Sequence, residues 1–143
     1  IALNTHFPQG EDILVHADLE LLTSALQNLL ENAIRYSNPG GQVDVTLREN
    51  DNVVIEVADN GIGISEEDQK RIFERFYRVD PARSRSTGGT GLGLSIVKHV
   101  VSDLNGSIHV NSKPGEGATF VITLPRHTPK DTQVNQIALT KEE

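Results

Sequence analysis

The chain contains no cysteine, methionine or tryptophan, and aromatic residues make up only 4% of its 143 residues. The absence of cysteine excludes disulfides, thiolate metal sites and cysteine nucleophiles. No apolar run approaches the ~20 residues that a membrane-spanning helix requires, and no signal-peptide pattern opens the chain. Lysine and arginine number 13, aspartate and glutamate 20, and the formal net charge is −7. This acidic balance argues against a domain that coats nucleic acid or an anionic membrane.

The length corresponds to one domain, and the first residue, Ile1 rather than methionine, leads us to expect a fragment of a longer protein. Two strand candidates, 2–7 and 13–16, come first. Alternating apolar residues then predict two hairpins, over 43–57 and over 108–124. From residue 126 onward the sequence is polar and without pattern, so we expect an unstructured C-terminal tail over 126–143.

Three helices are predicted between and after these strands. Asp18 is a suitable N-cap for a long helix with leucines at helical spacing. Ser65 predicts a short helix that reaches about Arg75. A further helix is expected from about Gly91, with Ile96 among its apolar residues. This order of elements differs from a βαβ alternation and predicts an α+β, two-layer sandwich in which helices cover a mostly antiparallel sheet.

The first long helix carries a polar stripe formed by Asn28, Asn32 and Arg35, at positions i, i+4 and i+7. Asparagine is an average helix former whose side chain competes for backbone hydrogen bonds, so two on one face are unusual. Its amide oxygen is a hard, neutral ligand suited to Mg²⁺, and Arg35 could meet a phosphate. Taken alone, the stripe is more typical of a solvated polar face.

Asp59 ends a predicted strand and precedes Gly61 and Gly63. A carboxylate there could accept a hydrogen bond from an exocyclic amine, and the glycines would let the backbone approach a flat ring closely. An ordinary Asp-Asn-Gly turn is the alternative.

Four of the twelve glycines lie between residues 88 and 93, at the entry to the last helix. Free N–H groups at a helix N-terminus attract anions, so this segment could cradle phosphate and also act as a hinge. It lacks the Gly-Lys-Ser/Thr of a Walker A loop and the spacing of a dinucleotide fingerprint. A plain flexible linker is the alternative.

Together, these features resemble the ATP-binding catalytic domain of sensor histidine kinases, within the gyrase, Hsp90 and MutL type of fold and most closely the PhoR type of two-component sensor. Residues 18 to 125 carry the likeness in family order. The matching segments are 28–36 (the N box), 59–64 (first glycine box), 72–78 (F box), 89–95 (second glycine box) and 115–120 (closing strand motif). Ordered boxes are far more specific than any one of them.

The resemblance implies a mixed, mostly antiparallel five-stranded sheet covered on one face by three helices, with a long ATP lid over 76–90. The catalytic domain would span 1–125. Asp59 would bind the adenine amino group, supported by Thr119 and a water, and Tyr36 would pack on the adenine ring. The remaining residues implied to contact the base or the adjoining backbone are Gly61, Ile62, Gly63, Ile64 and Leu94.

At the phosphates, the resemblance implies that Asn32, helped by Asn28, holds Mg²⁺. Arginines would meet the phosphate groups, and the lid would close over the nucleotide on glycine hinges. The residues implied in these roles are Arg35, Arg78, Arg83, Arg85, Thr87, Gly88, Gly89, Thr90, Gly91, Leu92 and Gly93. Phe73 and Phe76 would anchor the lid to the core.

The resemblance implies a kinase with ATP as substrate, ADP as product and Mg²⁺ as cofactor, with Asn32, Arg35 and Glu31 as its catalytic residues. Glu31 would help the acceptor histidine lose a proton. Hydrolytic members of the wider fold place a glutamate four residues before the metal asparagine. That position here is Asn28, which cannot act as a base, so we expect slow hydrolysis and transfer of the phosphoryl group to another side chain.

None of the five histidines lies in a phosphoacceptor context, which places the acceptor upstream of Ile1. The implied partners are an upstream dimerisation and phosphoacceptor domain and a response regulator receiver domain, without nucleic acid or direct membrane contact. We expect a monomer from the cytoplasmic part of a membrane-anchored bacterial sensor. The alternatives are a stand-alone anti-sigma-factor serine kinase of the same fold and a non-catalytic nucleotide-binding module.

Overall fold

The structure is a computed structural model that describes residues 1–9, 13–78 and 92–127, and the backbone of 136–139. Its elements follow the predicted order of two strands, a helix, a hairpin, two helices and a hairpin, and one further strand comes after them. They are β1 (Ala2–His6), β2 (Ile13–His16), α1 (Leu19–Arg35), β3 (Gln42–Glu49), β4 (Asn52–Asp59), α2 (Glu66–Gln69), α3 (Gly93–Asp103), β5 (Ser107–Ser112), β6 (Ala118–Pro125) and β7 (Gln136–Leu139).

Five strands form one mixed sheet in the order β1-β3-β4-β6-β5, in which only the β1–β3 pair is parallel. The two predicted hairpins, β3–β4 and β5–β6, are therefore confirmed. The α+β, mostly antiparallel five-stranded architecture is confirmed as well. Strand β2 lies outside this sheet and pairs antiparallel with β7.

Helices α1 and α3 pack against each other and cover one face of the sheet. The leucine stripe of α1 is buried because its residues recur at helical spacing, and the valines of α3 complete the same core. Alternate residues of β4 and β6 face these helices. The core residues with the lowest exposure include Ala25, Leu29, Val43, Val53, Val97, Val101 and Ile122.

The structure corrects three expectations about secondary structure. The helix that Ser65 caps ends at Gln69, because the following backbone bonds run from residue i+3 to i and form consecutive tight turns. Ile96 is 40% exposed, since it lies at the edge of the stripe that buries Val97 and Val101. Part of the C-terminal segment, Gln136–Leu139, forms a strand despite its polar surroundings.

Asp18 begins α1 as the sequence predicts: its carboxylate accepts a hydrogen bond from the Leu21 N–H at 3.1 Å. Asp18→Ala should lower the free energy of unfolding by about 1 kcal/mol, because the first turn loses its cap. Urea denaturation is the measurement. Asp18→Asn keeps the acceptor oxygen and should lose less than half of that amount; a loss as large as that of alanine would contradict the capping explanation.

Candidate functional site

Asp59 lies at the end of β4, in a row of side chains that crosses the sheet on its helix-covered face. The strand register places Asp59 beside Val43 of β3 and beside Ala118 of β6, and Ala118 beside Ser112 of β5. Directly paired residues of antiparallel strands project to the same face. The carboxylate therefore sits at the margin of the core, where β4 gives way to the first glycine loop.

Burial raises the pKa of the Asp59 carboxyl above its ordinary value of 3.8. The backbone N–H groups of Gly61 and Ala118 oppose this rise, and the Gly61 nitrogen lies 2.9 Å from Asp59 Oδ1. A partly desolvated carboxylate with donors on only part of its surface is suited to accept one more hydrogen bond from a ligand.

The first glycine loop is pressed against the end of α1. A Cβ on Gly61 would lie 2.0 Å from the Tyr36 carbonyl oxygen, and the Ile62 N–H donates to that same oxygen at 3.2 Å. Only glycine allows this approach. The contact places the Asp59 loop directly beside the last turn of α1, which carries Asn32 and Arg35.

On its other side, the same loop contacts the turn between β5 and β6. The Gly115 N–H donates to the Ile62 carbonyl oxygen at 2.7 Å. Gly63 has a φ of +76°, and a Cβ there would lie 2.1 Å from the Lys113 oxygen. The first glycine box and the closing strand motif therefore pack against each other, although residues 63 and 115 are 52 positions apart in the sequence.

The Asn28 side chain joins the N box to the second glycine box. Its Nδ2 donates to the Ser24 carbonyl at 2.9 Å. The Oδ1 atom then faces Gly93, the first residue of α3, where a Cβ would lie 3.0 Å from that oxygen. Asn32, one turn later on α1, is partly buried, and no side-chain hydrogen bond engages it within the described residues. Among the described residues, neither amide oxygen accepts a side-chain hydrogen bond.

Thr119 is not brought to Asp59, which corrects the expectation that it supports the carboxylate. Thr119 pairs with Ala58, whereas Asp59 pairs with Ala118. Successive side chains along a strand alternate between faces, and the buried Ala118 and Phe120 define the inward face of β6. Thr119 therefore lies on the opposite face, and Ala118 is the side chain next to Asp59.

The other predicted residues are distributed as follows. Ile64, Leu94 and Phe73 are partly buried against the core, and the Phe73 and Phe120 rings stack edge to face at 6.2 Å. Tyr36, Arg35 and Arg78 are partly buried and Glu31 is exposed. Phe76 is 66% exposed, so it does not anchor to the core as expected. The remaining predicted residues, Arg83, Arg85, Thr87, Gly88, Gly89, Thr90 and Gly91, lie outside the described residues.

Two residues of this region were not predicted from the sequence. Ser112 and Gln69 form side-chain hydrogen bonds that join the glycine loop to β5. Nothing in the sequence marks them, because a serine at a strand end and a glutamine on a short helix are ordinary surface residues until the register is known.

The oxygen ligands of the site suit Mg²⁺ that is bound to phosphate better than a metal ion held by charged side chains. In the part of the chain that the structure describes, no group of three or more histidine or acidic side chains could hold a metal ion. The amide oxygens of Asn28 and Asn32 are neutral, and Mg²⁺ bound chiefly to phosphates and water needs only one or two oxygen ligands from the protein. A separate cavity of about 450 Å³ lies away from these residues, between Asp18, Asp103 and His127.

The chain is similar to known proteins of one family. Residues 17–128 match the model described as "Histidine kinase-, DNA gyrase B-, and HSP90-like ATPase". The sensor-like histidine kinase SenX3 of Mycolicibacterium smegmatis is 47% identical over 137 residues, which cover 95% of this chain and 35% of that protein.

Solved structures give the same result. The mycobacterial sensor histidine kinase MprB superposes with a TM-score of 0.75 at 32% identity, covering 88% of this chain and 82% of that chain. Full-length ShkA in complex with AMPPNP superposes with a TM-score of 0.73 at 31% identity, covering 89% of this chain and 26% of that one.

Proposed function

Because the chain belongs to the family of histidine kinase-, DNA gyrase B- and HSP90-like ATPases, we propose that it binds Mg-ATP where the Asp59 loop meets α1 and α3. The observation that carries this proposal is the packing of Gly61 and Ile62 on the Tyr36 carbonyl. This packing unites a partly desolvated carboxylate with the asparagine stripe. The AMPPNP complex of the similar protein ShkA supports it.

In this proposal, the Asp59 carboxylate accepts the hydrogen bond of the adenine amino group, and Tyr36 packs against the ring. The amide oxygens of Asn32 and Asn28 would hold Mg²⁺, which would neutralise charge on the phosphates. Of the arginines predicted to meet the phosphate groups, Arg35 and Arg78 lie among the described residues. Asn28 cannot act as a base toward water, so slow hydrolysis is expected.

We further propose that the γ-phosphoryl group passes to a histidine on a dimerisation and phosphoacceptor domain, and from there to an aspartate of a response regulator. The names of SenX3 and MprB as sensor histidine kinases support this step. The chain spans 35% of SenX3, which leaves room in such a protein for an acceptor and a sensor. No helix in the described ranges has the length and apolarity to cross a membrane.

Titration calorimetry with Mg-ATP and Mg-ADP, followed by labelled ATP with a purified acceptor-helix domain of the same full-length protein, tests the proposal. We expect weak binding of both nucleotides and label on one histidine. Absence of binding to either nucleotide would remove the first part of the proposal. Label on a serine would instead favour the serine kinase alternative.

Asn32→Ala should weaken Mg-ATP binding by about 10- to 100-fold, because the metal loses an oxygen ligand. Metal-free ADP should bind almost as before. Calorimetry with and without EDTA separates the two values. Gln27→Ala, one turn before Glu31 on the exposed side of the same helix, is the control and should change neither. Equal losses for Mg-ATP and metal-free ADP would assign Asn32 a structural role.

A further inference from the structure

The Ser112 hydroxyl connects two separate loops of the nucleotide site. Ser112 Oγ accepts a hydrogen bond from the Ile64 N–H at 2.8 Å and donates one to the Gly117 carbonyl oxygen at 2.6 Å. One side chain therefore satisfies a backbone donor of the first glycine box and a backbone acceptor of the β5–β6 turn. Both backbone groups would lose these partners if the hydroxyl were removed.

Both bonded segments bear directly on Asp59. Gly117 has a φ of +80°, and a Cβ there would lie 2.0 Å from the Asp59 carbonyl oxygen, so the position of Gly117 determines where β4 ends. Ile64 closes the loop that begins with Asp59 and contains Gly61, the donor to its carboxylate. A shift of either segment would move the carboxylate relative to the end of α1.

Gln69 reinforces the same connection from α2. Its side-chain amide nitrogen, Nε2, donates to the Ile64 carbonyl oxygen at 2.8 Å and to the Ser112 carbonyl oxygen at 3.0 Å. Ile64 is therefore bonded through both its N–H and its carbonyl group. Because two side chains bond both backbone groups of this loop residue, its conformational freedom is limited.

We propose that Ser112 is a positioning residue for base recognition, which holds the first glycine box and the β5–β6 turn so that Asp59 meets the purine. The inference rests on the proposed function, since it assigns the base to Asp59. Ser112 contributes through the backbone of Ile64 and Gly117, and neither belongs to α1 or α3, the helices proposed to meet the phosphates. Its removal should therefore affect adenine nucleotides and leave a ligand without a base unaffected.

The test compares Ser112→Ala with Ser112→Thr, which keeps the hydroxyl, in the 143-residue chain. Calorimetry with Mg-ATP and Mg-tripolyphosphate measures binding, and amide hydrogen exchange of Ile64 measures the loop without nucleotide. Ser112→Ala should weaken Mg-ATP about fivefold to tenfold, leave Mg-tripolyphosphate unchanged and speed the exchange of the Ile64 amide. Ser112→Thr should restore all three values toward those of the unmodified chain.

Ser107→Ala, at the exposed start of β5, is the matched control and should change nothing. Unchanged Mg-ATP affinity in Ser112→Ala, an equal loss of tripolyphosphate affinity, or a threonine variant as weak as alanine would each overturn the proposal. If the unmodified chain binds no Mg-ATP, the proposed function fails and the proposal with it. The exchange rate then still shows whether Ser112 holds the loop.

Discussion

Asp59→Asn is expected to weaken Mg-ATP binding by about 10- to 100-fold, since a hydrogen bond to a charged acceptor contributes about 1.5–3 kcal/mol. The amide keeps the size of the carboxylate but offers a donor where the adenine amino group also donates. Mg-tripolyphosphate has no base and should bind both proteins equally. Calorimetry with the two ligands measures the difference.

Asp44→Asn provides the control, because Asp44 is a partly exposed residue of β3 that pairs with His6. It should leave both ligands unaffected. Unchanged Mg-ATP affinity in Asp59→Asn would refute the assignment of the base to Asp59. An equal loss of Mg-tripolyphosphate affinity would place Asp59 at the phosphates instead.

The raised pKa of Asp59 also predicts a pH dependence of stability. The folded state binds the proton more tightly than the unfolded state, so this group stabilises the fold below its unfolded pKa. That contribution is lost as pH rises through the folded pKa, which lies above 3.8. Asp59→Asn removes this pH-dependent contribution. The difference between the two proteins in free energy of unfolding, measured against pH, should isolate it.

Gly117→Ala is expected to lower the free energy of unfolding by at least about 2 kcal/mol more than Gly115→Ala. The two glycines have nearly equal φ values, +80° and +82°, so the conformational cost of a side chain, about 1–2 kcal/mol, is common to both. A Cβ on Gly115 meets nothing within 4 Å, whereas one on Gly117 would lie 2.0 Å from the Asp59 oxygen.

Urea denaturation of the two variants measures this difference, and the shared φ makes each the control for the other. Gly117→Ala should also weaken Mg-ATP, because the end of β4 must move to relieve the contact. Equal destabilisation by the two substitutions would mean that the turn shifts to accommodate the added methyl group and that Gly117 does not position Asp59.

The local elements were predictable because their signals lie within a few residues. The Asp18 cap, the leucine spacing of α1 and the alternation in β3 and β4 all reappear in the structure. Two of the predictions that failed, the unstructured C-terminal tail and the role of Thr119, depend on pairing between distant segments. Strand β7 forms because β2 pairs with it. No local pattern in the C-terminal segment predicts this strand.

The sequence alone determined the order of the elements from β1 to β6, the α+β class and which side chains carry the chemistry, because periodicity, capping and motif residues act over short distances. Only the tertiary structure decided which groups meet. The register of β4 on β6 places Ala118 beside Asp59 and turns Thr119 away. The pairing of β5 with β6 places Ser112 beside Ala118 and so brings it to the glycine loop. A strand register is set by contacts between segments far apart in the chain, so a single residue of shift would exchange the two faces.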